Sequence, residues 1–217
     1  MLGPMDSALL VTGGLAPDFS VLSPRMADFS FVCAADSGLD TLRAWGVRPD
    51  LVLGDFDSIR DPAVLAEYEG VIRHPKDKDD TDTELGLKEL RSRGYGRVTM
   101  AGGGGGRLDH LLALRALFEN PWGPDAWYTP GELVLRIREP LSLELKVDGL
   151  ISAFPLGGGA SGMRSEGLRW PLNGLRWGPG EFGISNRALG GKAVIAPGRG
   201  ELLVVVPYES FAAPYAD

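Results

Sequence analysis

Short apolar runs rich in Val, Leu and Ala recur through the first 130 residues, each bounded by Gly, Pro, Asp or Ser. The stretches 8–12, 29–34, 51–53, 71–73 and 98–101 read as strands on that basis. Between them, 39–45, 62–68 and 82–93 carry helical spacing, and 108–119 follows the last strand. Thr81-Asp82-Thr83-Glu84 has the spacing of a capping box, Leu87 and Leu90 fall on one face behind it, and Gly94 supplies a stop. Leu108, Leu111, Leu114 and Phe118 repeat at helical intervals in the next candidate. Strands and helices in alternation predict a parallel sheet covered by helices.

The pattern changes near residue 130. A last short strand, 126–128, sits among loop-type Pro and Gly, and beyond it no helix-length periodic stretch occurs. Instead come short segments, 133–137, 141–147, 151–154, 180–185, 193–196 and 201–206, punctuated by Gly and Pro. Such a series predicts an antiparallel β-sandwich or roll. The expected fold class is therefore an N-terminal parallel-sheet α/β/α domain, residues 1–130, followed by a C-terminal all-β sandwich, residues 131–217.

Composition narrows the function. The chain has 217 residues, 44% of them hydrophobic and 24% charged, so it can bury a core without staples. With 22 basic and 29 acidic residues its formal charge is −7, which argues against nucleic acid or an anionic membrane as partner. A phosphorylated substrate is still admissible, because a bound metal reverses the local sign. The lone cysteine, Cys33, lies in an apolar stretch and reads as a core residue suited to a reducing compartment. The start lacks a basic region, the run 8–11 is too short for a leader, and 202–207 is far below a membrane span. These features predict a cytoplasmic protein.

The acids are informative by position. In an open parallel sheet, ligands gather outside the carboxyl ends of the strands. Asp36 follows the second predicted strand, and Asp55 and Asp57 follow the third. Asp77, Asp79, Asp80 and Asp82 follow the fourth by one short loop. The glycine run Gly102 to Gly106, then Arg107 and Asp109, follows the fifth. So many carboxylates on one rim repel one another unless a cation joins them, and hard oxygen ligands suit magnesium. The glycines permit close approach of a phosphate, and a guanidinium such as Arg107 can fork onto its oxygens. The combination points to phosphoryl chemistry.

Each piece also has a plainer reading. Asp82 caps a helix, Lys76 and Lys78 are solvated loop charges, His110 bonds locally, and Arg107 pairs with Asp109. The run 51–58, an apolar strand ending in Asp-x-Asp, further resembles the nucleophile loop of haloacid-dehalogenase-like phosphatases. There Asp55 would attack phosphorus and Asp57 would act as acid and base. Against that, the motif lies in the third strand and no matching lysine loop is evident.

Taken in order, the motifs resemble one family. Ala35-Asp36-Ser37-Gly38, Pro49-Asp50, Gly54-Asp55-Phe56-Asp57-Ser58-Ile59, Lys78 to Glu84 and Gly105-Gly106-Arg107-Leu108-Asp109-His110 are similar to the signature of thiamine pyrophosphokinases. Ser152 to Leu156, Gly167-Leu168-Arg169-Trp170-Pro171-Leu172 and Gly183-Ile184-Ser185-Asn186 continue it.

The resemblance implies a magnesium-dependent enzyme that moves a pyrophosphoryl group from ATP to thiamine, giving thiamine diphosphate and AMP. It implies a homodimer with composite active sites. It assigns Asp55, Asp57 and Asp82 to the magnesium and pyrophosphate centre, with Arg107 and Asp109 as further catalytic groups. Asp36, Lys78, Asp79, Thr81, Gly105 and Gly106 fall to the nucleotide, and Trp170, Ser185 and Asn186 to thiamine. Two positions depart from the pattern: Ser37 stands where a glycine-like residue is common, and Arg187 where bacterial relatives often carry an acid. A non-enzymatic nucleotide or thiamine-phosphate sensor on the same scaffold is the remaining alternative.

Overall fold

The computed structural model describes residues 6–213; the first five residues, part of the stretch read above for a leader, lie outside it, as do residues 214–217. The chain divides into two compact units, Met1–Pro130 and Gly131–Asp217.

In the first unit the strands are β1 (Ser7–Val11), β2 (Phe31–Ala35), β3 (Leu51–Gly54), β4 (Val71–Arg73), β5 (Arg97–Ala101) and β6 (Ala126–Tyr128). All pair in parallel, in the order β6-β5-β1-β2-β3-β4. Central β1 buries Ala8, Leu9, Leu10 and Val11 completely, as a strand covered on both faces must. Helices α1 (Phe19–Leu22), α2 (Gly38–Ala44), α3 (Asp82–Ser92) and α4 (Leu108–Leu117) complete the unit. No periodic pattern marks α1, because it is a single turn that runs into the 3₁₀ segment Ser23–Asp28.

Two helix expectations change. The stretch expected as a helix at 62–68 is the 3₁₀ segment Pro62–Glu67, opened by Asp61, whose side chain accepts from Ala63 N at 3.0 Å. Six residues with proline at the first position are too few for a stable α-helix and suit the tighter turn. In α4 the buried side chains are Leu114 and Leu117, whereas Leu108 and Leu112 are exposed. Helix α3 forms as expected. Thr81 Oγ1 accepts from Glu84 N, and the Glu84 carboxylate accepts from Thr81 N, closing the capping box.

The second unit is built from antiparallel sheets. One has the order β13-β9-β15-β7, with β7 (Glu132–Ile137), β9 (Leu150–Pro155), β13 (Gly183–Arg187) and β15 (Leu202–Pro207). A second orders β11 (Arg164–Glu166), β14 (Gly191–Ala196) and β8 (Leu141–Leu145). β10 (Ala160–Ser161) and β12 (Arg176–Trp177) form a two-stranded ribbon. Burial alternates along β9, with Ile151 and Ala153 inward. The strand expected at 180–185 begins later, at Gly183, because Gly180 takes a turn conformation with φ 87°. Among the described residues no helix is long and apolar enough to cross a membrane. Cys33 is fully buried in β2, and burial pushes its thiol far above the ordinary range, so it is a core residue.

Candidate active site

The site begins where β2 and β3 end side by side. Ala35 lies opposite Leu53 in the parallel register, so the residues that follow leave the sheet at one edge. Asp36 takes a left-handed conformation, φ 48°, and its N–H donates to Leu53 O at 2.8 Å. Gly38 comes next: a Cβ there would lie 2.0 Å from the Val11 carbonyl oxygen, so only glycine lets α2 start against β1. On β3 the chain passes Gly54 and enters Asp55-Phe56-Asp57 with Phe56 also left-handed, φ 65°. The Phe56 ring is 4% exposed and anchors this turn, while the flanking aspartates face the edge. One carboxylate oxygen each of Asp36, Asp55 and Asp57 then lie within 4.8 Å of one another.

Lysines from the loop after β4 answer this charge. Lys78 Nζ donates to Asp55 Oδ2 at 2.9 Å and stands 3.2 Å from Asp82 Oδ1. Lys76 Nζ lies 2.6 Å from Asp57 Oδ2 in a much more exposed pair. Burial works against the Lys78 charge, but its bond to Asp55 and the nearby Asp82 carboxylate outweigh that and hold the ammonium above its usual range. Asp82 goes the other way: burial raises its carboxyl above the ordinary range, Lys78 opposes this, and the charges of Asp55 and Asp36 reinforce it. Asp57 is held low by Lys76 and Ser58.

These residues fit a divalent cation. Asp36 Oδ1 and Asp82 Oδ1 are buried and accept no hydrogen bond; for Asp82 the Lys78 ammonium is near but off the bonding direction. A 4.8 Å spread is close to the ~4 Å across an octahedral magnesium with oxygen ligands. The converging trio is Asp36, Asp55 and Asp57, so Asp36, expected at the nucleotide, stands with the metal candidates. Asp82, expected among them, is outside the trio and is reached through Lys78.

Other expected residues are placed as follows. Thr81 is the cap of α3, and Asp79 is exposed in the loop before it. Lys78, expected at the nucleotide, is bound to carboxylates. The glycine run is less open than its composition suggests: the N–H groups of Gly102, Gly103 and Gly104 donate to Tyr128, Gly13 and Leu15. Gly105 and Gly106 are exposed, and among the described residues their N–H groups bond to no backbone carbonyl. Only that end of the loop can offer donors to a phosphate. Arg107, the N-cap residue of α4, holds Asp109 through Nε at 3.1 Å and Nη2 at 2.5 Å. This bidentate pair is exposed, and Arg107 keeps the Asp109 carboxyl below the ordinary range.

In the second unit Trp170 is 55% exposed and therefore not a core tryptophan. Asn186 is engaged structurally. Its Oδ1 accepts from Trp170 N at 3.2 Å and its Nδ2 donates to Trp170 O at 2.6 Å. Ser185 sits where β13 slips register against β9, with φ 56°, and its N–H donates to Ser152 Oγ. The Arg169 guanidinium lies 5.7 Å from the Trp170 ring centroid. Residues the sequence reading did not single out are Phe56 and Arg73; the latter covers the Phe56 ring at 4.7 Å.

The family model described as "Thiamin pyrophosphokinase, catalytic domain" matches residues 24–121. Over residues 24–121 the sequence is similar to that catalytic domain. That span contains Asp36, Asp55, Asp57, Lys78, Asp82, Arg107 and Asp109, the residues on which the resemblance was drawn. Among solved structures, a thiamin pyrophosphokinase family protein from Enterococcus faecalis superposes with a TM-score of 0.76 at 23% identity, over 93% of this chain and 99% of its own. Thiamine pyrophosphokinase from Bacillus subtilis gives 0.76 at 22% identity, covering 96% and 100%. The yeast thiamin pyrophosphokinase gives 0.70 at 17%, covering 94% and 86%. These likenesses show that the fold extends over both units. Among curated protein sequences none matches significantly.

Proposed function

We propose that this protein transfers an intact pyrophosphoryl group from ATP to the hydroxyl of thiamine, yielding thiamine diphosphate and AMP. The observation that carries the reading is the carboxylate trio Asp36, Asp55 and Asp57 within a segment that matches the thiamin pyrophosphokinase catalytic domain. In this reaction the thiamine oxygen bonds to the β-phosphorus, the bond from that phosphorus to the α,β-bridging oxygen breaks, and the hydroxyl proton passes to a base.

Asp36, Asp55 and Asp57 would hold magnesium, which when bound supplies charge neutralisation on the transferring group and on the departing AMP. Gly105 and Gly106 would offer N–H donors to phosphate, with Asp79 and Thr81 on the nucleotide side. Arg107 would fork onto phosphate oxygens after exchanging its bond to Asp109. Asp82 suits the proton acceptor better than Asp109, because burial raises the first carboxyl while Arg107 holds the second low.

In the second unit, whose sheets we read as a β-sandwich, the exposed Trp170 ring suits the flat, cationic thiamine. Ser185 would stand beside it, with Asn186 fixing the Trp170 backbone. The assembly we propose is a homodimer with composite sites, which the exposed Trp170, Phe182, Ile184 and Leu189 suit, since apolar side chains of that size favour cover. A cytoplasmic location fits the single buried thiol.

The deciding experiment is incubation with ATP, magnesium and thiamine, followed by identification of the nucleotide product. AMP formed only when thiamine is present supports the proposal. Nucleotide hydrolysis without thiamine, with a phosphoenzyme at Asp55, would instead make the protein a phosphatase. Tight binding without turnover would make it a sensor.

A further inference from the structure

We propose that Lys78 is a resident counter-cation of the acidic centre, whose ammonium must release Asp55 before a divalent cation can load. The proposal rests on the reading of that centre as a magnesium site.

Both oxygens of Asp55 accept hydrogen bonds from within the chain. Oδ1 accepts from Asp57 N at 3.1 Å and Oδ2 accepts from Lys78 Nζ at 2.9 Å. The second of these is a sheltered pair, each side chain 13% exposed, so solvent and salt screen it weakly. Lys76, by contrast, is 78% exposed against Asp57 and is screened strongly. A metal approaching the trio therefore meets one effective internal competitor, Lys78.

The geometry also gives the displaced ammonium somewhere to stay. Asp82 Oδ1, at the start of α3, lies 3.2 Å from Lys78 Nζ, buried and with no hydrogen bond of its own. When Asp55 Oδ2 turns to a cation, Lys78 keeps Asp82 as its partner. The lysine is thus poised between two carboxylates, bonded to the one and adjacent to the other. Its removal frees a ligand oxygen and also deletes a positive charge beside the site. Both effects favour the metal, because the fraction of protein in the competent state limits the apparent affinity.

The test uses manganese, which takes the same oxygen ligands, titrated without nucleotide and read from its free-ion electron paramagnetic resonance signal. Lys78→Met should bind manganese about tenfold tighter than wild type. Lys76→Met should change affinity less than about threefold. Its metal-free thermal midpoint should fall in Lys78→Met, and the shift on adding manganese should grow. A purely structural ion pair would lower both midpoints alike and leave the affinity untouched, which would overturn the proposal, as would weaker binding. Lys78→Gln removes the same charge and replaces the methionine variant if circular dichroism shows that one unfolded. Manganese binding that is absent from wild type, or unchanged in Asp57→Asn, would instead refute the metal site itself.

Discussion

The Arg73 guanidinium lies 4.7 Å from the centroid of the Phe56 ring, and its Nη1 donates to Asp55 O at 3.4 Å. One side chain thus holds both the ring and the carbonyl of the turn that presents Asp55 and Asp57. The left-handed backbone of Phe56 costs free energy, and the buried ring with its cationic cover offsets that cost. Phe56→Ala keeps the strained conformation and removes its anchor. It should lose about 3 kcal/mol or more of unfolding free energy in denaturant titrations. Its metal affinity should fall further than that of Arg73→Met, which leaves the ring in place.

Asp57 belongs to the converging trio but contributes little to the core, since it is exposed and its partner Lys76 more so. Asp57→Asn should reduce turnover on the order of a hundredfold or more while leaving thermal unfolding nearly unchanged. Wild-type-like kinetics in a folded Asn variant would remove Asp57 from the centre.

Arg107 and Asp109 now form a bidentate pair at the start of α4. If Arg107 turns from Asp109 to phosphate during the reaction, a planar fork is needed in both states. Arg107→Lys should then lose roughly tenfold or more in kcat, because an ammonium cannot reproduce that geometry. Unchanged kinetics would confine Arg107 to its ion pair.

How much of this was legible beforehand follows from what each residue depends on. The strands of the parallel sheet and helix α3 were legible because they are set locally, by apolar runs and by the capping box of Thr81 and Glu84. The ribbon β10–β12 and strand β11 were not, since two or three residues carry no alternation. Asp55 and Asp57 stood out because they follow an apolar strand directly. The place of Asp36 beside them needed the pairing of β2 with β3, a long-range fact. The left-handed turn at Phe56 runs against that residue's own preference and is imposed by its buried ring. The closure of the glycine run depended on bonds to Gly13, Leu15 and Tyr128, none of them near it in sequence.

Asp82 gives a pH dependence whose sign is fixed. Burial raises its carboxyl in the folded chain above the unfolded value. Between the ordinary carboxylate value and the raised one, the folded chain holds a proton that the unfolded chain has lost. Raising pH through that window therefore lowers stability, and below it the contribution disappears because both states are protonated. In metal-free buffer, Asp82→Asn should gain stability relative to wild type as pH climbs through the window, then hold a constant advantage. Thermal midpoints across an acid-to-neutral series check this. An advantage that shrinks with rising pH would reverse the assignment.

The last prediction concerns assembly. The acidic trio belongs to the first unit, whereas Trp170, Ser185 and Asn186 belong to the second. In the proposed homodimer each reaction centre draws its acids from one subunit and its thiamine-facing residues from the other. A C2 dimer then carries two equivalent composite sites. An Asp57→Asn chain and a Trp170→Ala chain should each be nearly inactive alone, one lacking a metal carboxylate and the other the exposed ring. In a mixed dimer one site collects both lesions and the other collects neither. Subunit exchange should therefore restore activity toward about half the wild-type value per heterodimer. The heterodimer is isolated with two affinity tags and assayed for AMP formed in the presence of thiamine. Absence of rescue in that species would mean that each site is built within a single chain.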